Sequence, residues 1–93
     1  MRIVKILPSF ERNLKRVSSK DRTKIKKSLH QLNSFITKGV LPKGSGLKKL
    51  TNSIYEIRMD IRLRIIIQMD EDVVYLVLVG SHSDIKRYLN RYR

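Results

Sequence analysis

The sequence predicts an α+β domain: an N-terminal strand, a helical hairpin, a three-stranded antiparallel meander and a short C-terminal helix, with the helices packed on one face of the sheet. Two periodicities carry this reading. Between residues 9 and 38 apolar side chains recur at helical spacing, and between residues 54 and 80 they alternate with polar ones as half-buried strands do. A last helical stripe, Ile85, Leu89 and Tyr92, closes the chain.

Arg2-Ile3-Val4-Lys5-Ile6-Leu7 is β-branched and nearly alternating, and Pro8 ends it as a first strand. Ser9 is the expected N-cap of a short helix with Phe10, Leu14 and Val17 on one side and Glu11, Arg12, Lys15 and Arg16 outside. Ser18-Ser19-Lys20-Asp21 interrupts that stripe, with Ser18 placed to cap a second helix. The second helix spans about 21–38, carried by Ile25, Leu29, Leu32 and Ile36, and Gly39 stops it. His30 lies beside that stripe with no partner at metal-ligand spacing and reads as a surface residue.

Residues 40–46 hold Pro42, Gly44 and Gly46 and read as a loop, after which Leu47-Lys48-Lys49-Leu50 leads into the sheet. Strands follow over 54–59, 62–69 and 73–80, broken near Asp60-Ile61 and at Asp70-Glu71-Asp72. Alternation sets Tyr55, Ile57 and Met59 against Glu56 and Arg58, and Leu63, Ile65 and Ile67 against Arg62, Arg64 and Gln68. Helices on one face would leave Arg58, Arg62 and Arg64 together on an open, concave basic face that ends at His82. The final helix, from 81 to 93, takes Ser83 as its N-cap. Its N-terminus beside His82 offers backbone N–H groups to a phosphate.

Ninety-three residues fit one domain, 1–93, with a small core. No cysteine is present, which excludes disulfides and thiolate metal sites. The longest apolar run, 73–79, falls well short of the roughly 20 residues of a membrane span, and charge follows the N-terminus instead of a signal-type apolar region. A soluble, cytoplasmic protein without membrane contact is expected. The net charge is +13, and residues 1–50 hold 14 Lys/Arg against 2 acids while 51–93 hold 7 against 6. Such a chain binds polyanions by counterion release, and nucleic acid is the leading partner. Lys24 and Lys27, with Arg22 and Lys26, form the outer helix face, which is either a solvated face or a phosphate-contacting one; Lys43, Lys48 and Lys49 extend it toward the sheet.

The order of elements, with Leu47-Lys48-Lys49-Leu50, Ile54-Tyr55-Glu56-Ile57-Arg58, Arg62-Leu63-Arg64-Ile65-Ile66 and Val79-Gly80-Ser81-His82-Ser83-Asp84-Ile85, resembles the RelE/ParE toxin superfamily over nearly the whole chain. The Gly-Ser-His-Ser-Asp piece is similar to the YafQ and HigB branches. The resemblance implies a toxin of a toxin–antitoxin pair: an mRNA interferase that enters the ribosomal A site and cleaves mRNA without metal or cofactor, restrained by a cognate antitoxin. In that reaction a ribose 2′-OH attacks the adjacent phosphate, which requires a proton acceptor, cations for the phosphorane and an acid for the leaving 5′-oxygen.

By the same resemblance Arg64 takes the place of the arginine at the scissile phosphate, with Arg62 as its substitute if the register slips by two. Arg58 replaces a basic residue of the preceding strand, and His82 serves as acid or base. Tyr88 matches an aromatic or phenolic residue that stacks on a base or assists proton transfer. Glu56 departs from the RelE pattern, which has lysine there; it is either the general base or only a partner for Arg58. That departure keeps open a ParE-like, non-nuclease toxin acting on DNA gyrase, and a plain basic nucleic-acid-binding module is a third reading.

Overall fold

Helices and strands follow the expected order, with one more strand than the alternation suggests. The computed structural model describes residues 3–38 and 46–91. Along the chain they form β1 (Ile3–Ile6), α1 (Pro8–Arg16), α2 (Ser19–Lys38), β2 (Leu47–Lys49), β3 (Ile54–Arg58), β4 (Arg64–Met69), β5 (Val73–Gly80) and α3 (His82–Arg91). The sheet order is β1-β5-β4-β3-β2, antiparallel throughout except that β1 runs parallel to β5. The meander therefore has four strands. Leu47-Lys48-Lys49 is too short to alternate recognisably, and it becomes a strand because β3 offers it an edge, Leu47 opposite Ile57 and Lys49 opposite Tyr55.

Gly46 makes that pairing possible. Its φ is +74°, and a Cβ there would meet the Arg58 carbonyl at 2.6 Å, while its own carbonyl accepts the Arg58 N–H at 3.1 Å.

Both faces of the sheet are covered, which corrects the expectation of helices on one face. Helices α1 and α2 bury Phe10, Ile25 and Leu32 against Ile57, Ile65, Ile67, Val74 and Val79. On the opposite face α3 buries Ile85 against Ile54, Ile66 and Val77. The neighbours Ile65, Ile66 and Ile67 are all fully buried, which a strand permits only when both of its sides are packed. Each such side chain contributes about 1.5–3 kcal/mol of burial.

The helix starts differ from the sequence reading in two places. Leu7, not Ser9, occupies the N-cap of α1, and Pro8 sits in the first turn, where its missing N–H costs nothing. The Ser9 hydroxyl instead donates to the Val77 carbonyl, and Asn13 Oδ1 accepts the Val79 N–H at 3.1 Å. These two contacts satisfy the edge of β5 beyond Leu76, where β1 has ended. Ser18 caps α2 as anticipated, its Oγ accepting the Asp21 N–H at 3.1 Å. At the third helix Ser81, not Ser83, is the cap.

Candidate active site

Two-residue periodicity places Glu56 and Arg58 of β3 on the α3 side of the sheet with Ile54. The register then sets their neighbours. Glu56 lies between Lys48 of β2 and Ile66 of β4, and Arg58 lies directly opposite Arg64, which in turn lies opposite Gly80. Like charges directly opposite on adjacent strands are unfavourable, so the Arg58–Arg64 pair is a cost to the fold that a bound anion would remove.

Glu56 answers part of that charge. Its Oε1 is 2.6 Å from Arg64 Nη1, and both side chains are largely buried. Glu56 thus pairs with Arg64 rather than with Arg58, because the carboxylate reaches diagonally across β3 and β4. Arg64 Nε is buried without an acceptor, so the guanidinium is incompletely satisfied. With Lys48 opposite Glu56 and Arg58 exposed, the patch retains a net positive charge around one carboxylate.

His82 stands at the head of α3, two residues beyond the Gly80 that pairs with Arg64, and it is exposed. A reciprocal capping box fixes this corner. Asp84 Oδ2 accepts the Ser81 N–H and hydroxyl, each at 2.9 Å, and Ser81 Oγ accepts the Asp84 N–H at 3.2 Å. Those bonds, the backbone one first, hold the Asp84 carboxyl below the ordinary carboxylate range. A Cβ at Gly80 would lie 2.7 Å from Asp84 Oδ2 and 3.0 Å from Asp84 Cβ, so the glycine is the space in which the capping carboxylate sits. Gly80-Ser81-x-x-Asp84 is therefore a structural device that starts α3 where it presents His82.

The remaining expected site residues separate. Arg62 lies not on β4 but in the Asp60–Leu63 turn, exposed, where its N–H donates to Asp60 Oδ1 at 2.7 Å. The open row of three arginines is thus one exposed arginine, one largely buried and one in a turn. Lys24 and Lys27 belong to α2, on the face away from Glu56 and Arg64, and Lys24 Nζ is held 2.6 Å from Asp60 Oδ2. Lys48 shares the Glu56 side, whereas alternation turns Lys49 to the other, with Nζ 6.0 Å from the centre of the Tyr55 ring. Lys43 lies outside the described residues.

Tyr88 does not stand with His82. Six residues along a helix are 240° of rotation, and Tyr88 packs against the core of Ile54, Ile66, Val77 and Ile85 and lines a cleft between α1 and α3. Lys86 is the residue one turn after His82 on the same side of α3, and it is exposed. The sequence reading passed over it; its only signal was the i, i+4 spacing from the histidine. Among the described residues no group of three or more His, Cys, Asp or Glu is placed to hold a metal ion, and no helix is long and apolar enough to cross a membrane.

No protein-family model matches the sequence, and no curated protein matches it. Solved structures do. A chain of the RelB-RelE antitoxin–toxin complex from Methanococcus jannaschii superposes with a TM-score of 0.68 at 22% identity, covering 90% of this chain and 96% of that one. The YoeB dimer from Staphylococcus aureus gives 0.66 at 20% identity over 87% of this chain and 97% of that one. YafQ from E. coli strain BL21(DE3) gives 0.65 at 13% identity over 91% and 98%. This likeness establishes the fold: α+β, with the sheet and helix arrangement of RelE-like toxins.

Proposed function

We infer that this chain, built on the fold it shares with RelE, YafQ and YoeB, is the toxin of a type II toxin–antitoxin system and an endoribonuclease that cleaves mRNA. One observation carries the catalytic part: a carboxylate and a guanidinium 2.6 Å apart on the α3 side of the sheet, with a histidine presented at the adjoining helix start. An inhibitor of DNA gyrase or a plain nucleic-acid-binding module requires no such group of proton acceptor, cation and proton donor.

In the proposed reaction Glu56 takes the proton of a ribose 2′-OH as that oxygen forms a bond to the adjacent phosphorus. Arg64 and the exposed Arg58 answer the charge that grows on the phosphoryl oxygens, and Lys48 adds to the same field. The bond from phosphorus to the 5′-oxygen breaks with its electron pair on that oxygen, which takes a proton from His82. The products are a 2′,3′-cyclic phosphate and a free 5′-hydroxyl, and no metal or cofactor enters the balance. Imidazole suits the acid role because its ordinary pKa lies near neutrality.

The reading places the protein in the cytoplasm at the ribosomal A site, where mRNA is threaded codon by codon. The RelB-RelE complex is described as an antitoxin with its toxin, and a cognate antitoxin is the partner proposed here. A net charge of +13 favours an acidic one.

The test is induction of the wild type, Glu56→Gln and His82→Ala in growing cells, with mRNA ends mapped during translation. New ends in phase with codons are expected from the wild type and from neither variant. Growth arrest without new ends would remove the ribonuclease reading and favour gyrase as target.

A further inference from the structure

The cleft between α1 and α3, about 460 Å³ in volume, runs past the open end of β5 on the side of α3 away from His82. Its two walls carry matched pairs of arginines: Arg12 and Arg16 one turn apart on α1, and Arg87 and Arg91 one turn apart on α3. All four are exposed. Like charges at i, i+4 oppose helix formation, and here two such pairs converge on one cleft. The carboxylate on the lining is Asp84, already bonded to Ser81 and 2.8 Å from Arg87 Nη2. Arg12, Arg16 and Arg91 have no ion pair among the described residues. The floor is the β5 end, including Gly80, the residue that lies opposite Arg64 across the sheet.

We propose that this cleft is a second RNA subsite, which holds phosphates of the strand flanking the bond that is cut. The proposal rests on the ribonuclease reading. Four guanidiniums facing a concavity with one occupied carboxylate call for a polyanion, and the planar fork of arginine matches phosphate oxygens. The place of the cleft favours RNA over an acidic protein segment: Gly80 both lines the cleft and lies opposite Arg64 in the sheet, so a strand with its scissile phosphate at Arg64 reaches the cleft by passing the start of α3. A cavity of this size admits a nucleotide-sized group.

The test compares two double variants that remove the same charge, Arg12→Ala/Arg16→Ala inside the cleft and Lys15→Ala/Lys20→Ala on exposed helix positions outside it. The probe is a fully 2′-O-methylated single-stranded RNA, which binds but offers no attacking hydroxyl. Affinity is measured across a salt series. The cleft variant is expected to bind about tenfold more weakly and to lose about 1.4 from the log–log salt slope, two contacts at about 0.7 each. The outside variant is expected to weaken by less than about threefold, through screened long-range attraction only.

Equal losses from the two variants would overturn the proposal, because the charge would then act as a diffuse field. It would also be overturned if the cleft variant bound RNA like the outside variant and instead lost binding of a poly-glutamate peptide, which would make the cleft a protein docking surface. Should Arg12→Ala/Arg16→Ala fail to fold by circular dichroism, Arg87→Ala/Arg91→Ala tests the opposite wall with the same expected loss. A wild type that cleaves RNA while the variants bind alike defeats the subsite alone. A wild type that neither binds nor cleaves RNA defeats the ribonuclease reading as well.

Discussion

Arg64 directs Nη1 to within 2.6 Å of Glu56 Oε1, and 18% and 10% of the two side chains remain accessible. A pair so withdrawn from water gains little net stability, because desolvation offsets most of the attraction, yet losing one partner leaves the other charge stranded. Glu56→Ala is therefore expected to destabilise the fold toward the low end of about 3–5 kcal/mol, and Glu56→Ala/Arg64→Ala by less than the sum of the two single losses. Denaturant melts of both singles and the double give the coupling. Independent, additive effects would contradict the pairing.

His82 is exposed, and among the described residues its side chain enters no salt bridge. His82→Ala is expected to change stability by no more than about 0.5 kcal/mol while lowering RNA cleavage by about 10²–10⁴-fold. Thermal melting and a cleavage assay on the same preparation separate the two effects. Cleavage at the wild-type rate would remove His82 from the reaction.

Gly80 lacks a positive φ, so the cost of replacing it is steric. A methyl group there must displace the Asp84 carboxylate, which is not free to swing because it accepts two bonds from Ser81. Gly80→Ala is expected to cost about 1–3 kcal/mol, and Asp84→Ala, which removes only the cap, about 1 kcal/mol. The Gly80→Ala penalty should shrink in an Asp84→Ala background, because the nearest obstructing atom is then absent. Strictly additive penalties would show that the carboxylate is not the obstacle.

Asp60 holds the β3–β4 turn to α2. Its Oδ2 bonds to Lys24 at 2.6 Å and its Oδ1 accepts the Arg62 and Leu63 N–H groups at 2.7 and 2.8 Å. The Lys24 bond first, then the backbone bonds, lower its pKa from 3.8 to about 2. Because the folded value lies below the unfolded one, the contribution is complete above about pH 4 and is lost as the pH falls toward 2. The stability difference between wild type and Asp60→Asn should therefore narrow over that interval. A difference that stayed constant from pH 6 to 2 would contradict it.

Where β1 ends, α1 takes over the β5 edge through Asn13. Asn13→Ala strips the Val79 N–H of its acceptor and is expected to cost about 1–3 kcal/mol. Hydrogen exchange at Val79 should accelerate in the variant relative to the β4–β5 core. Unchanged protection there would mean that Asn13 is not what closes the edge.

Local pattern determined most of the architecture. The stripe through Ile25, Leu29, Leu32 and Ile36 specifies an amphipathic helix, the alternation through Tyr55, Ile57, Ile65 and Ile67 specifies strands with one apolar face, and Ser18 before Asp21 marks a helix start. These signals reside in residues a few positions apart, where backbone geometry alone fixes which side chains share a face. The positive charge is likewise complete in the sequence.

What depends on residues far apart in the chain could be decided only by the tertiary structure. The second core layer around Ile66 and Ile85, the β2 strand recruited by the edge of β3, and the choice of Arg64 over Arg58 as the partner of Glu56 follow from sheet register and packing. So does the separation of Lys24 from Lys48, because α2 packs on the side of the sheet that Lys48 does not face. Charge adds along a sequence, but whether cations can meet at one phosphate depends on which surface each reaches.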